Sequence, residues 1–581
     1  MGSSRLPKKV LAPLCGRPVL WHVLTRLRRC KSLDDIVVAT STAPENDLLE
    51  TYCRENGVHC IRGPEDDLLQ RYVMAAKSTC ADILVRVTGD APLVDPALID
   101  ELVGKLIAED ADYACIDPST KTIHEGFDPF TIRALDALVR EASDDPVAKE
   151  HVTAYFKEHP DFVHIVHITA KDEHRFDEKV RLSVDTPRDI AFLEALYKEL
   201  GSPPGEATVT DVVALLRQKP SLLRINQHVH QKAATELTRR VLIRCDGGEV
   251  LGMGHVVRCL ALAEALRESF GFGVTFVMGG DPLGMEMVHD AGYPLLTCHI
   301  PNQVRFLNRF IQENPVDAVV FDLKDDLPAV ALERWSDRGI LTVVIDDSSD
   351  RRLAADLMFY PPVPQIQTMS WKEARGELFS GWKWIVLRRQ FAERLPRNLE
   401  VPPTVLITMG GSDPAGMTLK AIDGVLMLDS PVNITVVLGQ AFSFHDEIDQ
   451  RIALNNNITI EENVTDMAAL MRRADLAVAA FGVTAYELAS QGVPAIYICS
   501  TNDHRQSAAT LEKGGMARCL GLEREVEPPM IHEAVRRLLS DAEIMERMSK
   551  RASARIDGRG SERIAAEIDK WLTRRSQPLG R

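Results

Sequence analysis

The chain has 581 residues, too many for one hydrophobic core, and length alone suggests about three to four domains. Its apolar fraction of 45% and charged fraction of 26% are those of an ordinary globular protein. A formal net charge of -16 excludes a large nucleic-acid surface, which would need an excess of Lys and Arg, but leaves nucleotide ligands open.

No apolar run approaches the roughly 18 to 20 residues that span a bilayer, so no membrane insertion is expected. The opening Met1–Lys9 is basic without the apolar stretch of a signal peptide. The 11 cysteines form no C-x-x-C pair and are odd in number, which reads as reduced thiols in a cytoplasmic protein.

Short β-type runs alternate with helical patterns along the chain, the mark of parallel α/β architecture. Such runs stand at 35–40, 82–88, 241–245, 318–322, 341–346, 404–408, 434–438, 476–480 and 495–498. Continuous apolar strands of this kind are expected to be buried on both faces. The polar stretch 219–239 reads as a linker, and Pro396, Pro402 and Pro403 mark a second boundary. The expected domains are therefore 1–218, 240–398 and 399–575.

The first residues carry a small, basic loop. Gly2 and Ser3 would let backbone N–H groups approach a triphosphate, and Arg5 and Lys9 would add positive charge. A simple basic tail has the same composition. Downstream, Asp90 follows the apolar run 82–88, where carboxyl ends of parallel strands bind ligands. Asp185 follows a second strand-like run, Arg181-Leu-Ser-Val, and together the two acids could hold Mg²⁺ against a nucleoside triphosphate. Asp185-Thr186 before Pro187 could equally be a helix cap.

These segments, with Val38-Ala-Thr-Ser41, Gly63–Tyr72, Gly89-Asp90, Glu150-His-Val152 and Val184-Asp-Thr-Pro187, resemble the cytidylyltransferases of spore-coat polysaccharide and CMP-sugar-acid synthesis. The resemblance implies CTP phosphates on Arg5 and Lys9, metal on Asp90 and Asp185, and attack of a keto-acid sugar hydroxyl on the α-phosphate of CTP. The family enters its phosphate loop through a strand and a Gln-Ala-Arg segment, whereas this sequence starts inside that motif, so either the start is misassigned or the central strand is absent. The family's Gly-Leu-Asp-Val-Glu reads Gly126-Phe-Asp-Pro-Phe130 here, with its final acid lost.

In the second half, Arg244-Cys-Asp246 ends a strand, a Gly-rich turn with Gly252 and Gly254 follows, and helical spacing begins near His255. A helix N-terminus offers free N–H groups to an anion. His255 stands where a general base is needed, with Asp246 available to orient it. The spacing is not the G-x-G-x-x-G of a dinucleotide fold. Gly410, Gly411 and Ser412 follow a later strand and could meet a diphosphate, and Gly482 leaves room beside the next helix. Thr484 and Glu487 have capping-box spacing.

From about 240 to 570 the chain resembles the UDP-2,4-diacetamido-2,4,6-trideoxy-β-L-altropyranose hydrolases of pseudaminic acid synthesis. This likeness rests on the His255 stretch, Val344-Ile-Asp-Asp347, Val386-Leu-Arg388-Arg-Gln-Phe391, Thr408–Pro414 and Asp475–Glu487. It implies a two-lobed, glycosyltransferase-B-like α/β module in which water displaces UDP without a metal and Glu487 binds the ribose. The remaining UDP-sugar contacts it implies are Arg258, Arg388, Thr484 and Gln506, the last beside Arg505 where the family has Asn. A true glycosyltransferase would use the same cleft, and a front domain acting only as a nucleotide-binding scaffold is the non-enzymatic alternative.

Overall fold

The computed structural model describes residues 5–576 except 125, 179, 204, 231–237, 249–251, 326, 398, 400, 412 and 440–441, and omits the side chains of 146 and 150. The chain forms two compact units, Met1–Thr238 and Arg239–Arg581.

In the first unit β1 (Pro13–Leu14) and β2 (Arg17–Pro18) make a small antiparallel hairpin, and β3 (Val37–Ser41) runs parallel to β4 (His59–Gly63). A separate sheet contains β5 (Ile83–Val87), β6 (Tyr113–Ile116), β7 (Phe127–Thr131) and β8 (Ile165–Ile168) in the order β5-β7-β6-β8. β7 runs antiparallel to both neighbours, contrary to the wholly parallel expectation. No helix intervenes between β6 and β7 to carry the chain back for a parallel return.

β3 and β5 are also less buried than their apolar sequences suggest, because a cavity of about 620 Å³ lies against them. It is lined by Val37, Val38 and Ala39 on one side and Leu84, Val85 and Val87 on the other. Among the described residues no strand joins these two edges.

Two further expectations change here. Arg181–Val184 is not a strand; it is held instead by Val184 N–H donating to the Asp90 carbonyl at 2.8 Å. The supposed linker is partly structural, with Leu223 and Val229 buried and Asn226 Nδ2 donating to Asp189 at 3.0 Å.

The second unit holds two fully parallel sheets. The first contains β9 (Arg240–Cys245), β10 (Gly273–Met278), β11 (Leu295–Thr297), β12 (Ala318–Asp322), β13 (Leu341–Ile345), β14 (Leu357–Tyr360) and β15 (Glu377–Ser380). Their order is β11-β10-β9-β12-β13-β14-β15. The second contains β16 (Thr404–Thr408), β17 (Asn433–Leu438), β18 (Ile458–Glu462), β19 (Leu476–Ala480), β20 (Ala495–Cys499) and β21 (Ala517–Leu522), ordered β18-β17-β16-β19-β20-β21.

Central strands such as β12, β13, β16 and β20 are buried throughout, as continuous Val/Ile/Leu runs require. The chain reverses its winding between β9 and β12 and again between β16 and β19, and such switch points open ligand crevices at the carboxyl ends of the strands.

The second lobe does not keep all of 399–575. The final helix, Gly560–Ser576, buries Ile564, Ala565, Ile568 and Leu572 in the first lobe's core beside Leu262 and Leu266. An apolar stripe at helical spacing needs such a partner, and the helix Gly254–Phe270 supplies it.

Candidate active sites

In the first unit four of the expected residues meet. Lys9 Nζ donates to Asp90 and, at 2.8 Å, to Asp185, while Arg5 pairs with Asp185 at 2.8 Å. Arg181, which the sequence reading missed, also pairs with Asp185; its signal was the i,i+4 spacing. Gly2 and Ser3 lie outside the described residues. Arg5 and Lys9, expected on phosphate oxygens, thus rest on carboxylates, the strongest acceptors within their reach.

Burial would push the Asp90 carboxyl up, but the Lys9 ammonium outweighs it and holds Asp90 below the usual carboxylate range. The cap reading holds for Thr186, the N-cap of the helix Pro187–Leu200 in a capping box with Asp189, and not for Asp185. Asp189 Oδ2 takes the Asp185 and Thr186 N–H groups at 2.9 and 2.8 Å, which leaves the Asp185 carboxylate to the cations. Position 130, where the expected acid is lost, is a fully buried core phenylalanine, and Asp128 is turned inward to Tyr113 Oη at 2.9 Å.

In the second unit the first switch point carries His255, one residue into the helix Gly254–Phe270. Its Nδ1 lies 2.6 Å from Asp322 Oδ1 at the end of β12. Arg258, one turn on, donates Nε to Asp322 Oδ2 and Nη2 to Oδ1, both at 2.7 Å, and Nη1 to Asp346 at 3.0 Å.

Asp322 is 1% exposed, yet Arg258 and His255 overcome its burial and bring its carboxyl down to about 2. An ionised carboxylate only accepts, so Nδ1 carries the proton and the His255 lone pair sits on Nε2. The expected orienting role of Asp246 is therefore corrected. Asp246 accepts from Gly279 N at 2.6 Å and pairs with buried Arg244 at 2.7 Å, bracing the ends of β9 and β10. Asp322 could have been found by the logic applied to Asp90, an acid closing an apolar strand.

At the second switch point Gly410, with a φ of 87°, and Gly411 follow β16, and a Cβ on either would meet nothing within 4 Å. Ser412 lies outside the described residues. The helix Met417–Leu426 does not present its first amides to a ligand, because Asp413 takes them from Met417 at 2.9 Å and Thr418 at 2.7 Å. The helix Val483–Ser490, after β19, has no side-chain cap at Gly482, and neither does the helix at Gly254.

The two uncapped starts approach each other, since a Cβ on Gly254 would lie 4.0 Å from Val483 Cγ2. Thr484 and Glu487 make no capping box. Buried Glu487 instead accepts from Arg388 Nη2 at 2.9 Å, and burial raises its carboxyl despite that guanidinium. Gln506 is exposed on the helix Asn502–Lys513, and Gly252 has a φ of 76° in the turn before His255.

Known proteins fit this division. Residues 1–218 match the Cytidylyltransferase family, and 404–564 match the Glycosyltransferase family 28 C-terminal domain. The spore coat polysaccharide biosynthesis protein SpsF of Bacillus subtilis is 31% identical over 224 residues, 38% of this chain and 92% of SpsF. SpsG of the same organism is 25% identical over 330 residues, 56% of this chain and 96% of SpsG. A solved cytidylyltransferase from Leptospira borgpetersenii is 29% identical, spans 40% of this chain and 95% of its own, and has a TM-score of 0.36.

Through its first unit the chain belongs to the cytidylyltransferase family. Its second unit is a GT-B-like α/β module ending in a family-28-type domain. No helix among the described residues is long and apolar enough to cross a membrane.

Proposed function

We propose that the chain is a bifunctional, cytoplasmic nucleotide-sugar enzyme of nonulosonic-acid or surface-polysaccharide synthesis. The front unit transfers a cytidylyl group from CTP to a keto-acid sugar, and the rear unit hydrolyses a UDP-diacetamido-trideoxy sugar to release UDP.

The observation that carries the rear reading is the His255–Asp322 pair at the switch point, beside two uncapped helix starts. His255 Nε2 takes a proton from water as it attacks the anomeric carbon, and Asp322 holds the resulting imidazolium. Amides at Gly254 and Val483 receive the charge of the departing diphosphate, and Glu487 with Arg388 sets the nucleoside. The family-28 match favours a second reading, in which a sugar hydroxyl replaces water.

In the front unit, the Asp90 and Asp185 oxygens converge on one ammonium, and such a hard-oxygen pair fits Mg²⁺. Bound there, the ion would neutralise charge on the departing pyrophosphate. Lys9 holds Asp90 ionised, while Arg5 and Arg181 gather further positive charge on Asp185 at the same point.

The decisive experiment follows UDP release from the UDP-sugar and pyrophosphate release from CTP with keto-acid sugars. His255→Ala should abolish UDP release while UDP binding stays intact. Equal loss of binding would make His255 structural, and transfer to an added acceptor without free sugar would establish the glycosyltransferase.

A further inference from the structure

Asp95, His124 and His174 take no part in either site described above, yet each offers a ligand atom within 4.8 Å of the other two. Three separate segments bring them together. Asp95 begins the helix Pro96–Ala108, His124 lies between β6 and β7, and His174 ends the turn Asp172–His174.

The two histidine loops are fastened to each other. Thr122 bridges Arg175, Thr122 Oγ1 donates to the His174 carbonyl at 3.2 Å, and the rings meet edge to face with centroids 4.8 Å apart. Asp95 spends Oδ1 on its helix, accepting from Ala97 N at 2.9 Å and Leu98 N at 3.4 Å. Its other oxygen makes no such bond to the helix. His174 Nε2 lies 3.0 Å from Thr210 Oγ1, the outer contact that commonly fixes the tautomer of a ligating imidazole.

His124 Nε2 is buried with no hydrogen-bond partner. A buried polar atom left so is costly, and an electrophile at this position would remove that cost.

We propose that Asp95, His124 and His174 form a binding site for a divalent transition-metal ion of the zinc type. Two imidazoles and one carboxylate suit Zn²⁺, Co²⁺ or Ni²⁺, whereas Mg²⁺ prefers oxygen ligands alone. The ion would pin the 117–126 loop to the helix Pro96–Ala108. That loop ends at Gly126, whose carbonyl accepts from Thr88 N at 2.8 Å, two residues before Asp90. The site would thus brace one wall of the Asp90–Asp185 centre without belonging to it.

The test is a titration of the EDTA-treated full chain with Co²⁺, in excess Mg²⁺ to fill oxygen-only sites, followed by visible d–d absorption and then Zn²⁺ competition. One Co²⁺ per chain, displaced by Zn²⁺, is expected. Loss of an outer partner alone costs about 10–100-fold in affinity, so His124→Ala and Asp95→Asn should each weaken binding by at least that much.

Asn keeps the helix cap, so Asp95→Asn reads the metal site even if His124→Ala does not fold. Absence of the band, the same affinity in Asp95→Asn as in the parent chain, or thiolate charge-transfer absorption that places the ion on cysteine would each overturn the proposal.

Discussion

Substituting Asp322→Asn keeps the side chain's volume, removes its charge and separates catalysis from folding in the second unit. The carboxylate now accepts one bond from His255 Nδ1 at 2.6 Å, two from Arg258 at 2.7 Å and a weaker one from Cys259 Sγ at 3.7 Å. Arg258 donates to both carboxylate oxygens, so either orientation of an amide leaves one guanidinium N–H facing an NH2 group. With the amide nitrogen on the His255 side it donates to Nδ1, which moves the ring proton to Nε2, where the base should be; with the oxygen there the tautomer is kept but the negative charge that holds the imidazolium is lost.

Loss of the acceptor that fixes a catalytic imidazole's tautomer costs about 10³–10⁴-fold in kcat. The drop of the Asp322 carboxyl from 3.8 to about 2 corresponds to roughly 2.5 kcal/mol of stabilisation of its charge. A destabilisation of about 2–3 kcal/mol and a melting point lower by about 3–4 °C should follow. UDP release gives kcat, and titration calorimetry gives UDP affinity, which should hold. Asp322→Asn combined with His255→Ala should be no slower than His255→Ala alone, because the two act as one unit. A kcat within tenfold of the parent, together with the lower melting point, would refute the mechanism and leave Asp322 as a structural anchor.

Glu487→Gln should weaken UDP binding by about 10–100-fold, since charge-assisted hydrogen bonds contribute about 1.5–3 kcal/mol. Calorimetry showing unchanged affinity with a lowered melting point would reduce Glu487 to the partner of Arg388. For the first unit the pH dependence has a defined sign. His124 is lowered to about 4 in the fold from an ordinary 6.5, so the unfolded chain takes the proton first as pH falls. Stability is full above about pH 6.5 and declines by about 3 kcal/mol toward pH 4. Urea unfolding in EDTA at several pH values should show that slope, and His124→Gln should flatten it.

The second unit was largely legible because its central strands are long Val/Ile/Leu runs with acids or glycines at their carboxyl ends, a pattern that marks both strand and crevice. His255 followed from local spacing, and Arg258 and Glu487 from the family resemblance. Asp322 did not, because it stands 67 residues from His255 and only the sheet order makes β9 and β12 neighbours.

The same limit hid the cluster of Asp95, His124 and His174, which share no sequence interval of ligand type. In the first unit β7 was not foreseen as antiparallel, since a short apolar strand reads alike in either direction. The final helix was placed with the wrong lobe for a related reason, because an apolar stripe declares that it will be buried and not against what.

In the proposed reading the two units would meet the charge of a nucleotide with different physical resources. The first gathers side-chain cations, Arg5, Lys9 and Arg181, around two carboxylates. The second offers backbone amides at Gly254 and Val483, left without side-chain caps, while Asp413 seals the nearby helix Met417–Leu426.

A glycine at a helix start forgoes only a few tenths of a kcal/mol against a capping side chain, so restoring the cap should trade a little stability against ligand. Gly482 has a φ of 177°, which any residue can adopt, and a Cβ there meets nothing within 4 Å. Gly482→Asp should therefore stabilise the second unit by a few tenths of a kcal/mol. Its carboxylate would occupy the same amides and repel the diphosphate, so UDP affinity should fall by at least about tenfold. Opposite signs for melting point and affinity are required. A variant that gains stability and still binds UDP normally would show that the diphosphate lies elsewhere.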